Sequence, residues 1–438
     1  MKTANTVMPP SLWAAVTKPP GSYPPNIGPQ SADVVIIGAG FTGLSAALHL
    51  RRAGLTTTVL EAAEPGWGAS GRNNGQVIPT LSRVDPDAII ARHRVAGERF
   101  VALIRDSAQT LFDILKDERI DAEAEPTGWV QPVHSAGRVA LAERRVAQWT
   151  KAGANVAMLS RDELALKLGP NPWHGGWWAP SGGHINPLSL ARGLARAVTD
   201  RGGVIHGGSP ALSFGRAGSR WVVTTAEGRI DARALVLATN ATTGVYSERL
   251  APTLDHEMVT LTSWQMATTP IPDDIRRQVI PQRCAVSDTH RELRFARYDA
   301  RHRLVTGGAL LGQHNAEGRL KSLIAKRLVE MFPALAQLPG GIQFEYLWNG
   351  PIGMTRDALP RVHMLGPDAY AWVGCNGRGV ALAMAIGREF ARGILGTPRA
   401  ELALPFTEPA PIPLHGLVSR FAPLMLLDAR RQDRREPA

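Results

Sequence analysis

The chain has 438 residues, 44% of them hydrophobic and 20% charged, and its 49 Lys and Arg against 38 Asp and Glu give a formal charge of +11. That length points to two interleaved domains, and the composition excludes a fibrous, low-complexity or disordered chain. Two cysteines, Cys284 and Cys375, exclude a disulfide framework and offer no metal set, and no apolar run is long enough to read as a transmembrane helix. Met1 to Gln30 has no apolar signal-peptide core, so a reduced, cytoplasmic setting is expected. The arginines are dispersed apart from Arg430-Arg431 and Arg434-Arg435, without a nucleic-acid-binding motif. The basic charge therefore reads as a solvated surface, with attraction of anionic substrates as the alternative, and no nucleic-acid partner is expected.

Residues 1–30 read as an N-terminal arm. Ser11-Leu12-Trp13-Ala14-Ala15 is an apolar patch, and Pro19-Pro20 and Pro24-Pro25 favour extended backbone after it. Trp13 is expected to dock on the body. Val34-Val35-Ile36-Ile37 is short and β-branched enough for a buried parallel strand. Gly38-Ala39-Gly40-Phe41-Thr42-Gly43 follows as a G-x-G-x-x-G turn, then a helical pattern ending near Gly54, then a second strand from Thr56 to Leu60. In such a unit Gly38 permits the tight turn, Gly40 lets backbone approach a pyrophosphate, and Gly43 lets helix and strand pack. Glu61 lies 21 residues past Gly40 (61 − 40), where a carboxylate can accept from ribose hydroxyls. A lone glycine turn is weak evidence; strand, turn, helix, strand and acid in order point to a dinucleotide site.

Pro65 to Gln76 is a glycine-rich loop too long for a simple turn. Residues 86–118 carry helical spacing, Gly128 to Val133 reads as a strand, and helices are expected over 141–152, 161–168 and 188–201. His184 sits in Ser181-Gly182-Gly183-His184-Ile185-Asn186-Pro187 and has no second ligand at metal spacing; no metal site and no G-x-S-x-G elbow are read. Strand pairs over 205–225 precede Ala234-Leu235-Val236-Leu237-Ala238-Thr239-Asn240-Ala241, a buried strand with a polar end. Residues 250–345 alternate strands and turns, with 293–297 and 304–308 as a pair and a helix over 319–331. A glycine-rich loop, Gly374-Cys375-Asn376-Gly377-Arg378-Gly379-Val380, opens a helix over 381–395 and directs backbone N–H groups outward. Residues 399–438 form a proline-rich, then apolar, then arginine-rich tail.

The loop Gly66-Trp67-Gly68-Ala69-Ser70-Gly71-Arg72-Asn73-Asn74-Gly75-Gln76 resembles the G-W-G-A-S-G-R-N-G-G-Q loop of the gamma-glutamylputrescine oxidase-like branch of the D-amino-acid oxidase superfamily, which includes the glycine and sarcosine oxidases. Asn74 departs from it by adding a side chain where the family brings backbone close to a flavin. Three further stretches are similar in the same order: Gly183 to Pro187, the Ala238-Thr239-Asn240-Ala241 strand end, and Trp348-Asn349-Gly350-Pro351-Ile352-Gly353-Met354-Thr355-Arg356-Asp357-Ala358-Leu359-Pro360.

This resemblance, covering roughly residues 11–428, implies a mixed α/β fold. A Rossmann-type FAD-binding domain built from residues 31–116, 184–247 and 345–398 is interleaved with a mixed-sheet substrate domain built from 117–183 and 248–344. It implies FAD held through Gly38, Gly40, Phe41, Thr42, Gly43, Glu61, Ala62, Gly68, Ala69, Ser70, Arg72, Asn73, Asn74, Gly75, Gln76, Thr239, Asn240, Gly350, Gly374, Gly377, Arg378, Gly379 and Val380. Non-covalent attachment is expected, since the flavin-linked cysteine of some sarcosine oxidases has no counterpart beside Trp348 to Pro360. His184, Arg378 and Trp348 are the candidate catalytic residues. The implied activity is oxidation of a C–N bond in a small amine or amino acid, with oxygen as acceptor and hydrogen peroxide as product. A dehydrogenase serving a quinone or other carrier, a tRNA-modifying flavoprotein and a non-catalytic flavin binder remain alternatives.

Overall fold

The computed structural model describes residues 6–310 and 315–436. Its first sheet grows from the strand Gly28–Ile37, whose Val34 to Ile37 are buried on both faces. That strand pairs in parallel with Thr57–Leu60 on one side (Val34 opposite Thr57, Ile37 opposite Leu60) and with Gly228–Leu237 on the other. Val204–His206 continues the sheet beyond Thr57–Leu60, and Ala369–Val373 and then the antiparallel Arg361–Gly366 continue it beyond Gly228–Leu237. Buried parallel strands need cover on both faces. The helices Phe41–Arg52, Pro86–Asp117, Pro187–Asp200 and Gly379–Ile394 form one cover, around a core that includes Leu44, Leu48, Leu190 and Ile386. The antiparallel hairpin Ser213–Ala217 and Arg220–Thr224 flanks the other, with Trp221, Val223 and Ile230 in its core.

The second sheet has eight strands in the order Phe344–Thr355, Met258–Pro270, Arg303–Gly308, Phe295–Tyr298, Ala285–Ser287, Trp129–Pro132, Gly176–Ala179 and Ala157–Leu159. The helix Ala316–Met331 buries Leu320, Ile324 and Leu328 with Met266 and Ile275 in a separate core. One expected boundary moves. Phe344–Thr355, read as the start of the last FAD-domain segment at 345, runs antiparallel to Met258–Pro270 from Phe344 opposite Thr268 to Thr355 opposite Met258. The chain rejoins the first sheet only at Arg361–Gly366. The long helix Pro86–Asp117 also breaks at Arg94 (φ 52°, ψ −128°), where Gly97 lies so near the preceding turn that a Cβ would stand 2.6 Å from the Ile89 carbonyl.

The arm docks, as its sequence leads one to expect. Ser11 caps a short helix, Leu12–Val16, and Trp13 is fully buried with Leu188 and Trp348. The first five residues of the arm and the last two of the tail lie outside the described residues. Among the described residues no helix is long and apolar enough to cross a membrane.

Candidate cofactor and substrate cavity

The cavity begins at the turn between the first strand and the helix Phe41–Arg52. Gly38 is left-handed (φ 104°), and a Cβ on Gly43 would stand 2.0 Å from the Gly38 carbonyl oxygen, so only glycine seats the helix on its strand. Gly40 caps that helix with no side chain, leaving its positive end facing the cavity; the one hydroxyl that reaches it, Ser70 Oγ, accepts from Phe41 N at 3.0 Å. Glu61 lines the same end and accepts from the amides of Ala39 (2.7 Å) and Ala63 (3.0 Å). Burial raises its pKa, and those amides oppose the shift. Its carboxylate therefore braces the glycine turn, and each oxygen keeps a lone pair for a hydroxyl donor.

The loop after Gly66 forms one wall. Asn73 holds it in shape, donating to the carbonyls of Ala69 (3.1 Å) and Ser70 (2.8 Å) and accepting from Gly75 N (2.7 Å). Gly75 is left-handed (φ 85°), and a Cβ there would stand 2.1 Å from Ile185 O. Asn74 has an ordinary negative φ, so glycine is not required; its Nδ2 reaches Gln265 Oε1 and Val305 O, each at 3.3 Å, and ties the loop to the second sheet. Behind the wall the buried Arg297 donates to the Asn74 and Ile185 carbonyls and stacks on Trp13, its pKa pushed down to about 10 by burial. Arg72 lies over the Trp67 ring at 4.5 Å, and burial lowers its pKa as well.

At the far end Arg378 caps the helix Gly379–Ile394 beside Gly377, with Val380 in the first turn. Its guanidinium is almost fully buried, stacks on Trp129 at 5.0 Å, makes no side-chain hydrogen bond, and meets no acid among the described residues. Burial first, and Arg145 second, push its pKa down to about 9. A buried cation and a helix N-terminus thus converge on the cavity without a counter-charge. Ser263, Gln265, Ser287 and Phe295 of the second sheet, and Leu293 from the connection before Phe295–Tyr298, complete the lining.

Most of the residues expected at a cofactor line this cavity together: Gly38, Gly40, Phe41, Thr42, Glu61, Ala62, Gly68, Ala69, Ser70, Arg72, Asn73, Asn74, Gly75, Gln76, Thr239, Asn240, Gly350, Gly377, Arg378, Gly379 and Val380. Four expected site residues stand back from it. Gly43 packs under the turn, and Gly374 (φ 75°) faces Thr355, whose Cγ2 would lie 2.2 Å from an added Cβ. His184 is fully buried in the ribbon Gln76–Val77 with Gly183–His184, where its Nε2 donates to Arg283 O at 2.8 Å. Burial, then Arg297, drives its pKa well below the usual histidine value. Trp348 packs edge-on against Trp13 and donates to the Arg72 carbonyl at 2.9 Å, supporting the loop from behind.

Sequence reasoning missed Trp67, Ala211, Tyr246, Ser263, Gln265, Ser287 and Trp372. Ser263 and Gln265 carried a usable signal, since alternate residues of a strand share a face. Cys375 also lines the wall, with its thiol pKa raised by burial. His134, Asp433 and Glu436 lie close enough to ligate an ion, but Arg138 and Arg291 already neutralise Glu436.

A largely parallel sheet with a glycine turn and an adjacent buried acid, its cavity also lined by a second sheet, has the architecture of dinucleotide-binding proteins. The family model described as FAD dependent oxidoreductase (DAO) matches residues 33–392, and the chain belongs to that family. It is 29% identical over 368 residues to "Gamma-glutamylputrescine oxidoreductase" of Escherichia coli, covering 84% of each chain. It is 30% identical over 383 residues to "Probable oxidoreductase OrdL" of Haemophilus influenzae, covering 85% of each. Among solved structures, glycine oxidase from Geobacillus kaustophilus superposes with a TM-score of 0.71 at 18% identity, covering 86% of this chain and 98% of its own. The protein is therefore an FAD-dependent oxidoreductase. The cavity suits that cofactor: glycines clear backbone at the strand-to-helix turn, and buried Arg378 Nε and Tyr246 Oη lack protein partners along its length.

Proposed function

We propose that this protein oxidises a C–N bond of a small amine or amino acid, with a gamma-glutamylated amine as the leading substrate class. One observation carries the reading: among the described residues, the acidic and guanidinium side chains lining the cavity are Glu61, Arg72 and Arg378, and no histidine, aspartate or lysine reaches it. Such a site has no strong base to abstract a proton from carbon, and it does not need one if the substrate amine is neutral and its carbon gives up hydride directly. When bound, FAD supplies the two-electron acceptor for that hydride.

The chain's own residues then have three tasks. Apolar Phe41, Ile352, Leu293 and Phe295 exclude water and favour the neutral amine. Ser263, Gln265 and Ser287 offer hydroxyl and amide groups that can orient it. Arg378 and the N-terminus of Gly379–Ile394 stabilise the negative charge that accompanies reduction. The oxidised substrate is an imine, which water hydrolyses to a carbonyl compound and an amine or ammonia. Relatives named for gamma-glutamylputrescine and glycine support the amine class.

The test is steady-state turnover of gamma-glutamylputrescine, putrescine, sarcosine and glycine, followed with an oxygen electrode and separately with a soluble dye acceptor. For a productive amine, kcat/KM is expected to rise with pH along the ionisation of that amine. A pH profile that follows the protein irrespective of the amine, or no turnover with any of them, counts against the proposal. The ratio of oxygen to dye turnover assigns oxidase or dehydrogenase behaviour.

A further inference from the structure

We infer that the tail segment Leu414–Arg435 is a docking face for an anionic lipid surface. Of the fourteen large apolar side chains exposed among the described residues, seven fall between Leu414 and Leu427. Five of them lie on two short helices, His415–Phe421 and Met425–Arg435, in which nothing is buried; Leu414 precedes the first, and Leu424 is in the linking turn, which buries only Ala422. A contiguous apolar patch of this kind marks an interaction site, whereas the other seven exposed apolar residues are scattered along the chain.

Polar bonds hold the segment at both ends. Ile412 N donates to His256 O (2.8 Å), and His415 donates to Met258 O (2.8 Å) while stacking on His256. At the other end Arg430 pairs with Glu292 at 2.6 Å, Asp433 accepts from Arg291 N at 2.9 Å, and Glu436 pairs with Arg138 and Arg291. The body thus grips the segment through charged groups and leaves its apolar residues pointing away.

Charge selects the occupant. Leu417, Arg420 and Phe421 share one helix face at i, i+3, i+4, and Leu427, Arg431 and Arg434 share another at i, i+4, i+7. Arg420, Arg431, Arg434 and Arg435 are exposed and have no acidic partner among the described residues. Apolar side chains flanked by free arginines suit a bilayer interface, with acyl chains below and phosphates at the level of the guanidinium groups. A second copy of this chain would bring the same arginines against one another across a two-fold contact.

The experiment is flotation of the FAD-loaded full chain with vesicles of phosphatidylglycerol and phosphatidylcholine, and with phosphatidylcholine alone. The parent is expected to float with the anionic vesicles, and less so as salt is raised. The variant Leu417→Ser/Phe421→Ser/Leu424→Ser/Leu427→Ser is expected to lose about tenfold or more in vesicle affinity. The charge variant Arg431→Glu/Arg434→Glu should lose its preference for anionic lipid. Flavin content and dye-linked turnover should stay at parental values in both, which shows that the body is folded. A parent that stays at the bottom of the gradient overturns the inference. So does a serine variant that floats equally well, or a parent dimer that the serine substitutions split while no form of the protein floats.

Discussion

Arg378→Met separates the stability of the empty protein from its function. The guanidinium is buried without an anion, and burial pushes its pKa down to about 9. It therefore stays charged at neutral pH at a cost. An uncompensated buried charge costs about 3–5 kcal/mol. Stacking on Trp129 returns about 2 kcal/mol. Replacement by methionine, apolar and of similar length, is thus expected to stabilise the flavin-free protein by about 1–3 kcal/mol at pH 7 in urea unfolding. The sign follows from linkage: a base with a depressed folded pKa costs stability fully below that pKa, and the cost fades as pH rises above about 9 towards the ordinary arginine value. The advantage of the variant should shrink over that window. Turnover should fall at least about a hundredfold, as when a charge-stabilising donor is removed from an active site. A variant less stable than the parent without flavin, yet binding FAD and turning over amine normally, would refute the reasoning and make Arg378 a structural residue.

Gly43→Ala places a methyl group 2.0 Å from the Gly38 carbonyl, so the turn must shift. Purified protein should lack yellow colour and lose about 1–3 kcal/mol in thermal or urea unfolding. Trp13→Ala removes a fully buried side chain and its hydrogen bond to Asn73 O, costing about 3–5 kcal/mol. Because that bond supports the loop wall, FAD titration should also show weaker binding, and unchanged affinity would detach the arm from the site. Asn74→Gly loses two long hydrogen bonds and adds backbone freedom, for about 1 kcal/mol of destabilisation, while FAD affinity should hold within about threefold. A variant that loses its flavin would make the Asn74 side chain a cofactor ligand.

The dinucleotide end was legible because its determinants are local. Val34 to Ile37, Gly38 to Gly43 and Glu61 act through turn sterics and short-range hydrogen bonds, which neighbouring residues dictate. The arm was legible for a similar reason, an isolated apolar Trp13 among prolines. The substrate end was not, because register places it there. Ser263 and Gln265 reach the cavity only because Met258–Pro270 presents that face, and Phe344–Thr355 belongs to the second sheet only through pairing with a strand far away in sequence, Thr355 opposite Met258 and Phe344 opposite Thr268. His184 shows the same limit. Its position beside a glycine segment suggested chemistry, but pairing with Gln76–Val77 turns it onto Arg283 O.

The most direct test is the visible absorbance of the purified protein, followed by anaerobic addition of single amines. A flavin spectrum bleached by gamma-glutamylputrescine or another small amine is the expected result, with the colour returning when an acceptor is readmitted. Protein that takes up no FAD, or flavin that no amine bleaches, would contradict it.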